Sequence, residues 1–252
     1  MNILVTNDDG IDYPGIYALV KALKNIGNVY VVAPNSQQSA VGHALTVSNP
    51  LRANKFYRDG ELFGYAVNGT PSDCVKLAIC SLLDVKPDIL VSGINHGQNT
   101  SINIIYSGTV SAATEGMLLG IPSIAVSLAA FNYNADCGPA AEIARKLVSD
   151  LYGKTLPKGT LLNVNIPALP TEKIKGMKVT SLSQSYWEDN YEHRVDPLGH
   201  DYYWFNGKYV VPDSLMDTDD LAIKSGYVSI TPIRFNFTHT DYIEELKKVL
   251  SK

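Results

Sequence analysis

Apolar residues along this chain fall into short runs separated by polar turns. The runs are Ile3-Leu4-Val5, Val29-Tyr30-Val31-Val32-Ala33, Ile89-Leu90-Val91, Ser123-Ile124-Ala125-Val126-Ser127-Leu128 and Leu161-Leu162-Asn163-Val164-Asn165-Ile166. Runs this continuous, rich in β-branched residues, predict strands buried on both faces. Between them the apolar period lengthens to that of a helix. Ile16, Leu19, Val20, Leu23 and Ile26 share one face and stop at Gly27. Val75, Ile79 and Leu82 mark a second helix. Val110, Ala113 and Met117 mark a third, closed by Gly120 and Pro122, and a fourth runs from about Pro139 to Leu151. Strands alternating with helices require right-handed parallel crossovers. The pattern therefore predicts an α/β fold with a mostly parallel, doubly wound sheet.

Two stretches break the alternation. Leu45 to Tyr65 has short alternating segments and turn residues, which predict a hairpin laid beside the sheet. After Pro167 the helical period fades, and Tyr, Trp and polar residues dominate to about Val211. This reads as strands or hairpins projecting from the sheet. Asp217 to Asp220 caps a short helix, Tyr227 to Pro232 forms another strand, and Asp241 to Leu250 is an amphipathic helix. The expected organisation is a catalytic core over residues 1–166. Residues 167–252 form a β-rich C-terminal extension for oligomerisation, with one strand returning to the core and a terminal helix.

Charge narrows the ligand class. The formal net charge is -4 and the sequence pI about 5.7. No global basic field attracts nucleic-acid polymers, so a phosphate-bearing ligand needs a local device. No apolar stretch is long enough to span a bilayer. The chain opens directly into a strand without a basic leader, which leads to the expectation of a cytoplasmic protein. Cys74, Cys80 and Cys137 are odd in number and lack metal-ligand spacing, so buried free thiols are expected.

The chemistry gathers at the strand ends. The first strand stops at Asn7-Asp8-Asp9-Gly10, which reads as a turn. In an open α/β sheet, ligands bind beyond the carboxyl ends of the strands. Asp8 and Asp9 are either solvated turn residues or a pair neutralised by a hard divalent cation. The loop after the second strand offers Ser39, and the third strand ends close to Asn95. Carboxylates with neutral oxygens suit Mg²⁺, Mn²⁺ or Ca²⁺ better than zinc. Tyr106-Ser107-Gly108-Thr109-Val110 opens the third helix. Its backbone N–H groups and hydroxyls make an anion cradle, or else Ser107 or Thr109 is a plain N-cap. Beside a cation the cradle reading gains, because cation and cradle together hold a phosphoryl group. Thr70-Pro71-Ser72-Asp73 reads as helix capping.

At these residues the chain resembles the SurE (survival protein E) family of nucleotide phosphatases. The resemblance rests on Asn7-Asp8-Asp9-Gly10, Val32-Ala33-Pro34 with Ser39, Gly69-Thr70-Pro71-Ser72-Asp73-Cys74-Val75, Ser92-Gly93-Ile94-Asn95 and Tyr106-Ser107-Gly108-Thr109-Val110. It implies a metal-dependent 5′-nucleotidase, often also active on 3′-nucleotides and short polyphosphate. It further implies a Rossmann-like core, a C-terminal hairpin exchanged between subunits, and a homodimer or homotetramer. The family's metal ligands fall on Asp8, Asp9, Ser39 and Asn95, with one Mg²⁺ or Mn²⁺ per subunit. Asp8, Asp9, Asn95 and Ser107 are then the expected catalytic residues, and Asn95, Ser107, Gly108 and Thr109 the expected phosphate contacts. The chain departs from the family at Ser101, where glycine is usual, and around Val41-Gly42-His43. Both departures bear on the shape of the substrate pocket.

Other residues carry weaker expectations. His96 and His43 are near enough in sequence to contact phosphate, whereas His193, His200 and His239 suit a surface or interface. Tyr186, Trp187, Tyr191, Tyr202, Tyr203 and Trp204 fit an oligomer interface better than a base-stacking platform. A non-enzymatic, Mg²⁺-binding receiver-like signalling module is the alternative. It needs an aspartate at the end of the third strand, where Ser92-Gly93 stands. A haloacid-dehalogenase-type phosphatase needs two aspartates one residue apart, and Gly10 follows Asp9. No Gly-x-Gly-x-x-Gly follows the first strand, which disfavours a dinucleotide oxidoreductase.

Overall fold

The computed structural model describes residues 1–130, 132, 134–154, 156–212 and 217–251. The predicted runs are strands. In chain order these are β1 (Asn2–Thr6), β2 (Asn28–Pro34), β3 (Ala53–Arg58), β4 (Glu61–Val67), β5 (Ile89–His96), β6 (Ser123–Ala129), β7 (Thr160–Pro167), β8 (Met177–Val179), β9 (Tyr186–Val195), β10 (Asp201–Val210) and β11 (Val228–Arg234). The helices are α1 (Pro14–Leu23), α2 (Pro71–Leu77), α3 (Gly108–Leu118), α4 (Gly138–Leu151), α5 (Asp219–Lys224) and α6 (Thr240–Leu250).

Nine strands form one sheet in the order β3-β4-β2-β1-β5-β6-β7-β11-β8. The central pairs β2–β1, β1–β5, β5–β6 and β6–β7 are all parallel. Alternate residues of each buried strand face opposite sides of the sheet. Ile3, Val5, Val91 and Val126 pack with Ile16, Leu19, Ala144 and Val148, which places α1 and α4 on one face. Leu4, Leu90 and Ala125 pack with Val75, Val110 and Met117, which places α2 and α3 on the other. The fold is thus the doubly wound, Rossmann-like α/β arrangement.

The structure corrects three local expectations. The 45–65 hairpin does not lie beside the sheet. Its strand β4 pairs with β2 through Val32↔Tyr65 to Pro34↔Val67 and extends the sheet. The open edge of β2 carries backbone groups that need partners, and β4 supplies them. β5 does not stop at Val91 but runs through Asn95 to His96, with a register irregularity between Ser92 and Asn95. There Gly93 sits at φ +138, and a Cβ on it would meet the Val126 carbonyl oxygen at 2.3 Å, so only glycine fits. Among the cysteines, Cys74 and Cys137 are buried and free as expected, but Cys80 is exposed.

C-terminal to β7, β11 adds antiparallel to it and β8 adds parallel to β11. β9 and β10 form a separate ten-residue antiparallel ribbon, exposed along almost all of its length. The aromatic residues singled out above lie on it. Trp187 packs on Tyr209 and Tyr191 on Phe205, with ring centroids 5.1 and 5.5 Å apart. Helix α6 buries none of its residues. Among the described residues, no helix is long and apolar enough to cross a membrane.

Candidate metal and phosphate site

β1 delivers Asp8 and Asp9 to the carboxyl edge of the sheet through a turn that Asn7 closes. The Asn7 amide donates to the Gly10 carbonyl at 2.8 Å and accepts from the Gly10 N–H at 3.2 Å. Asp8 and Asp9 are only 6% and 8% exposed. They are therefore not the solvated turn residues of the blander reading. No Lys or Arg pairs with either carboxylate among the described residues.

Burial is the largest influence on both acids. It pushes the Asp8 carboxyl above its ordinary range, against hydrogen bonds from Thr109 that pull it down. Asp9 rises to about 7 through burial and the neighbouring Asp8 charge, opposed by the His96 backbone N–H. Two buried carboxylates without a cation strain against ionising together. A divalent ion among them relieves that strain, so the donor set fits a hard metal. Among the described residues, no group of three or more His, Cys, Asp and Glu side chains converges to hold a metal. Any ion here must take its remaining protein ligands from neutral oxygens.

Ser39 and Asn95 stand beside the pair. The Gln38 N–H donates to the Asp8 carbonyl at 2.7 Å, which ties the loop carrying Ser39 to β1. The Ser39 hydroxyl is exposed and accepts from the Gln37 amide at 2.8 Å. The His96 N–H donates to Asp9 Oδ2 at 3.2 Å, which fixes the neighbouring Asn95 next to Asp9. The Asn95 amide N–H donates to the Gly97 carbonyl at 2.7 Å, which leaves its oxygen for another partner.

Helix α3 meets the same carboxylates end on. The Thr109 hydroxyl donates to Asp8 Oδ1 at 2.5 Å, so it is turned to Asp8 rather than outward. Ser107 is the N-cap and accepts from the Val110 N–H at 3.1 Å. Its own hydroxyl proton finds no acceptor among the described residues. Gly108 lies against Asp8 so closely that a Cβ on it would sit 2.6 Å from the Asp8 Cβ and 3.0 Å from Oδ2. The positive end of the helix dipole thus abuts Asp8. An apolar groove of about 600 Å³, lined by Ile102, Ile105, Leu182, Tyr186 and Phe235 among others, borders the turn leading to Ser107.

The expected Thr70 capping box is present, with Asp73 as its reciprocal partner. Asp73 also accepts from the N–H and hydroxyl of Thr46, so it anchors the loop before β3. His43 packs on Phe235 and hydrogen-bonds Thr114 at 3.3 Å, and burial lowers its pKa. His96 packs edge-on to Tyr13. His193 and His200 make local ribbon contacts with Asp201 and Asp196. Ser101, at the position where the resemblance expects glycine, adopts φ +52, a left-handed conformation that glycine favours.

Several supporting residues escaped the sequence reading. Asn163 and Asn165 of β7 both donate to the Asn99 carbonyl, at 2.7 and 3.0 Å, and Asn165 accepts from the Asn99 N–H at 2.8 Å. Amides two residues apart on one face of an apolar strand are the signal that betrays such a role. In sequence, Asp219 and Asp220 look like helix caps. They lie in the first turn of α5 behind the N-cap Thr218, but they are buried and face the loop after β5.

Comparison with known proteins places this geometry. The family model described as "Survival protein SurE" matches residues 3–189. The chain is similar to the 5'-nucleotidase SurE of Chlorobium phaeobacteroides, 46% identical over 247 residues, covering 98% of this chain and 95% of the relative. It is equally similar to the 5'-nucleotidase SurE of Syntrophobacter fumaroxidans, 46% identical over 248 residues, covering 98% and 99% of the two chains. The crystal structure of the SurE protein from Aquifex aeolicus superposes with a TM-score of 0.87 at 40% identity, covering 99% of each chain.

Proposed function

The chain belongs to the survival protein SurE family, and from that premise and the site geometry we infer that it is a phosphatase releasing phosphate from nucleoside 5′-monophosphates. One observation carries the reading. The buried Asp8, of a type suited to a metal, and the opening of α3, of a type suited to phosphate, are in direct contact through Thr109 and Gly108.

Asp8, Asp9, Ser39 and Asn95 would hold one Mg²⁺ or Mn²⁺. When bound, such an ion supplies Lewis-acid polarisation of a phosphoryl oxygen and an acidified water. The protein's own groups do the rest. Thr109 fixes the rotamer of Asp8. Asp9, with its carboxyl near pH 7 in the absence of cations, is placed to orient a water or take its proton. The free Ser107 hydroxyl and the first N–H groups of α3 donate to the equatorial phosphoryl oxygens as charge builds there. Thr109 serves the phosphate through its backbone position and through Asp8, not through its hydroxyl. The groove beside Ile102, Ile105 and Tyr186 offers the apolar walls that a nucleobase needs. 3′-Monophosphates and short polyphosphate present the same terminal phosphoryl group and belong to the same proposal.

The test is phosphate release from a panel of 5′- and 3′-nucleotides and tripolyphosphate. Each is assayed after chelation and after adding back Mg²⁺, Mn²⁺ or Ca²⁺. Activity lost with the chelator and restored by Mg²⁺ or Mn²⁺ is expected. Full activity in the chelated enzyme overturns the metal assignment, and none on any 5′-nucleotide overturns the substrate.

A further inference from the structure

The loop that joins Asn95 to Ser107 is held from below by two buried carboxylates on α5. Asp220 accepts hydrogen bonds from five side chains. They are Thr100 Oγ1 at 2.7 Å, Gln98 Nε2 at 3.2 Å, Ser185 Oγ at 2.7 Å, the Tyr209 hydroxyl at 2.9 Å, and Ser183 Oγ. Asp219 accepts from the backbone N–H groups of Ser101 and Ser183, both at 2.9 Å. The donors come from three places: the loop after β5, the segment entering the β9–β10 ribbon, and Tyr209 near the end of β10. Two further ties follow the same route. The Ser101 hydroxyl lies 2.9 and 2.7 Å from the Ser183 and Ser185 carbonyls, and Trp187 Nε1 donates to Asn103 Oδ1 at 2.8 Å.

We propose that Asp219 and Asp220 are positioning residues that latch the Asn95–Ser107 loop to the base of the ribbon, and so set the phosphate contacts. The proposal rests on the reading of Asn95 and Ser107 as substrate contacts. The physical basis is that one buried carboxylate gathers five donors whose other side-chain contacts are with one another, Thr100 with Tyr209 and Gln98, and Ser183 with Ser185, so the set holds together only around Asp220. Moving the ribbon base without moving the loop strands buried donors. The loop conformation therefore follows the ribbon. Ser101 sharpens the coupling, because its hydroxyl bonds exist only while its left-handed backbone and the Ser183–Ser185 segment stay in place.

The test uses Asp220→Asn, Thr100→Val, Thr100→Ser and Tyr209→Phe in the full chain. Each is assayed with adenosine 5′-monophosphate at saturating Mn²⁺, with Mn²⁺ affinity and melting temperature measured alongside. Thr100→Val and Tyr209→Phe are expected to lower kcat/KM by about tenfold, since even ~1 Å of misplacement in a contact costs up to ~100-fold. Mn²⁺ affinity should fall far less than kcat/KM, because Asn95 is one ligand of four and is also held within β5 beside Asp9, and Thr100→Ser should restore activity. A merely structural role would move melting without this split or this rescue. In a Trp204→Phe background the emission of Trp187 reports the latch directly, and Asp220→Asn should shift it. If Asp220→Asn does not fold, Thr100→Val carries the same emission readout. An active wild type with unchanged kcat/KM in both Thr100→Val and Tyr209→Phe overturns the proposal. So does unchanged Trp187 emission. A wild type inactive on every nucleotide overturns the functional reading instead.

Discussion

Gly108→Ala tests whether α3 and Asp8 form one unit. Alanine is the better helix former, by ~1 kcal/mol, so a helix start on its own gains from the change. Here the new methyl would sit 2.6 Å from the Asp8 Cβ and 3.1 Å from the Pro71 side chain. Ordinary contact begins near 3.4 Å, so helix and aspartate must part by about 0.8 Å. Asp8 cannot yield freely, because Thr109 holds it from the same helix. Overpacking of this kind costs ~1–3 kcal/mol, leaving a net loss of ~0–2 kcal/mol after the helix gain. In a chain of this size that lowers Tm by at most ~8 °C. Displacing a reacting contact by nearly 1 Å costs far more in rate, ~100-fold. The matched control is Gly138→Ala at the start of α4, where the nearest atoms to the methyl belong to the exposed, movable Asp136 carboxylate. Phosphate release and thermal melts on both variants decide the matter. Gly108→Ala should lose ~100-fold in kcat/KM with a modest Tm change, and Gly138→Ala should behave as wild type. Activity within twofold of wild type in Gly108→Ala, or an equal loss in both variants, refutes the reasoning.

Further outcomes follow from the same contacts. Asp8→Asn should abolish cation-dependent phosphate release while keeping the fold, and near-normal turnover would exclude its role. Asp9 gives a pH signature in the metal-free protein. Its folded pKa of about 7 lies above the ordinary 3.8, so it stabilises the fold fully at acid pH and loses that contribution as pH rises from 4 through 7. The Tm of wild type minus that of Asp9→Asn should fall over this interval, Mn²⁺ should raise wild-type Tm more at pH 8 than at pH 5, and a difference that rises with pH contradicts the assignment. Asp73→Ala removes the α2 capping box and the Thr46 anchor. It should cost ~1–3 kcal/mol, read by denaturant unfolding, from a lost cap plus half-buried donors at Thr46 and Thr70 left without their acceptor.

The parts of the molecule that were legible from sequence are those written in local patterns. Ile3-Leu4-Val5 declares a buried strand, whereas only the packing shows α1 and α4 on one of its faces and α2 and α3 on the other. Adjacent acids at a strand end, followed by oxygen-bearing loops, locate the candidate site. What stayed hidden depends on long-range partners. Nothing local to Leu45–Tyr65 says that β4 will pair with the open edge of β2. Asp219 and Asp220 look like helix caps because the donors that claim them come from separate parts of the chain, Thr100 and Ser101 over 100 residues upstream and Ser183, Ser185 and Tyr209 nearer. Thr109 looks like a phosphate donor until the fold brings Asp8 within reach of its hydroxyl. The glycine expected at position 101 is explained by the left-handed backbone there, which sequence alone does not display.

The proposed enzyme needs one divalent cation among oxygens supplied by β1, the loop after β2, and β5. Diffraction from a manganese-soaked crystal, with anomalous data collected at the manganese edge, tests it most directly. A single peak per chain is expected, within coordination distance of Asp8, Asp9, Ser39 and Asn95 and facing the start of α3. A fully occupied crystal with no peak at Asp8 and Asp9, or with its only peak elsewhere on the chain, contradicts it.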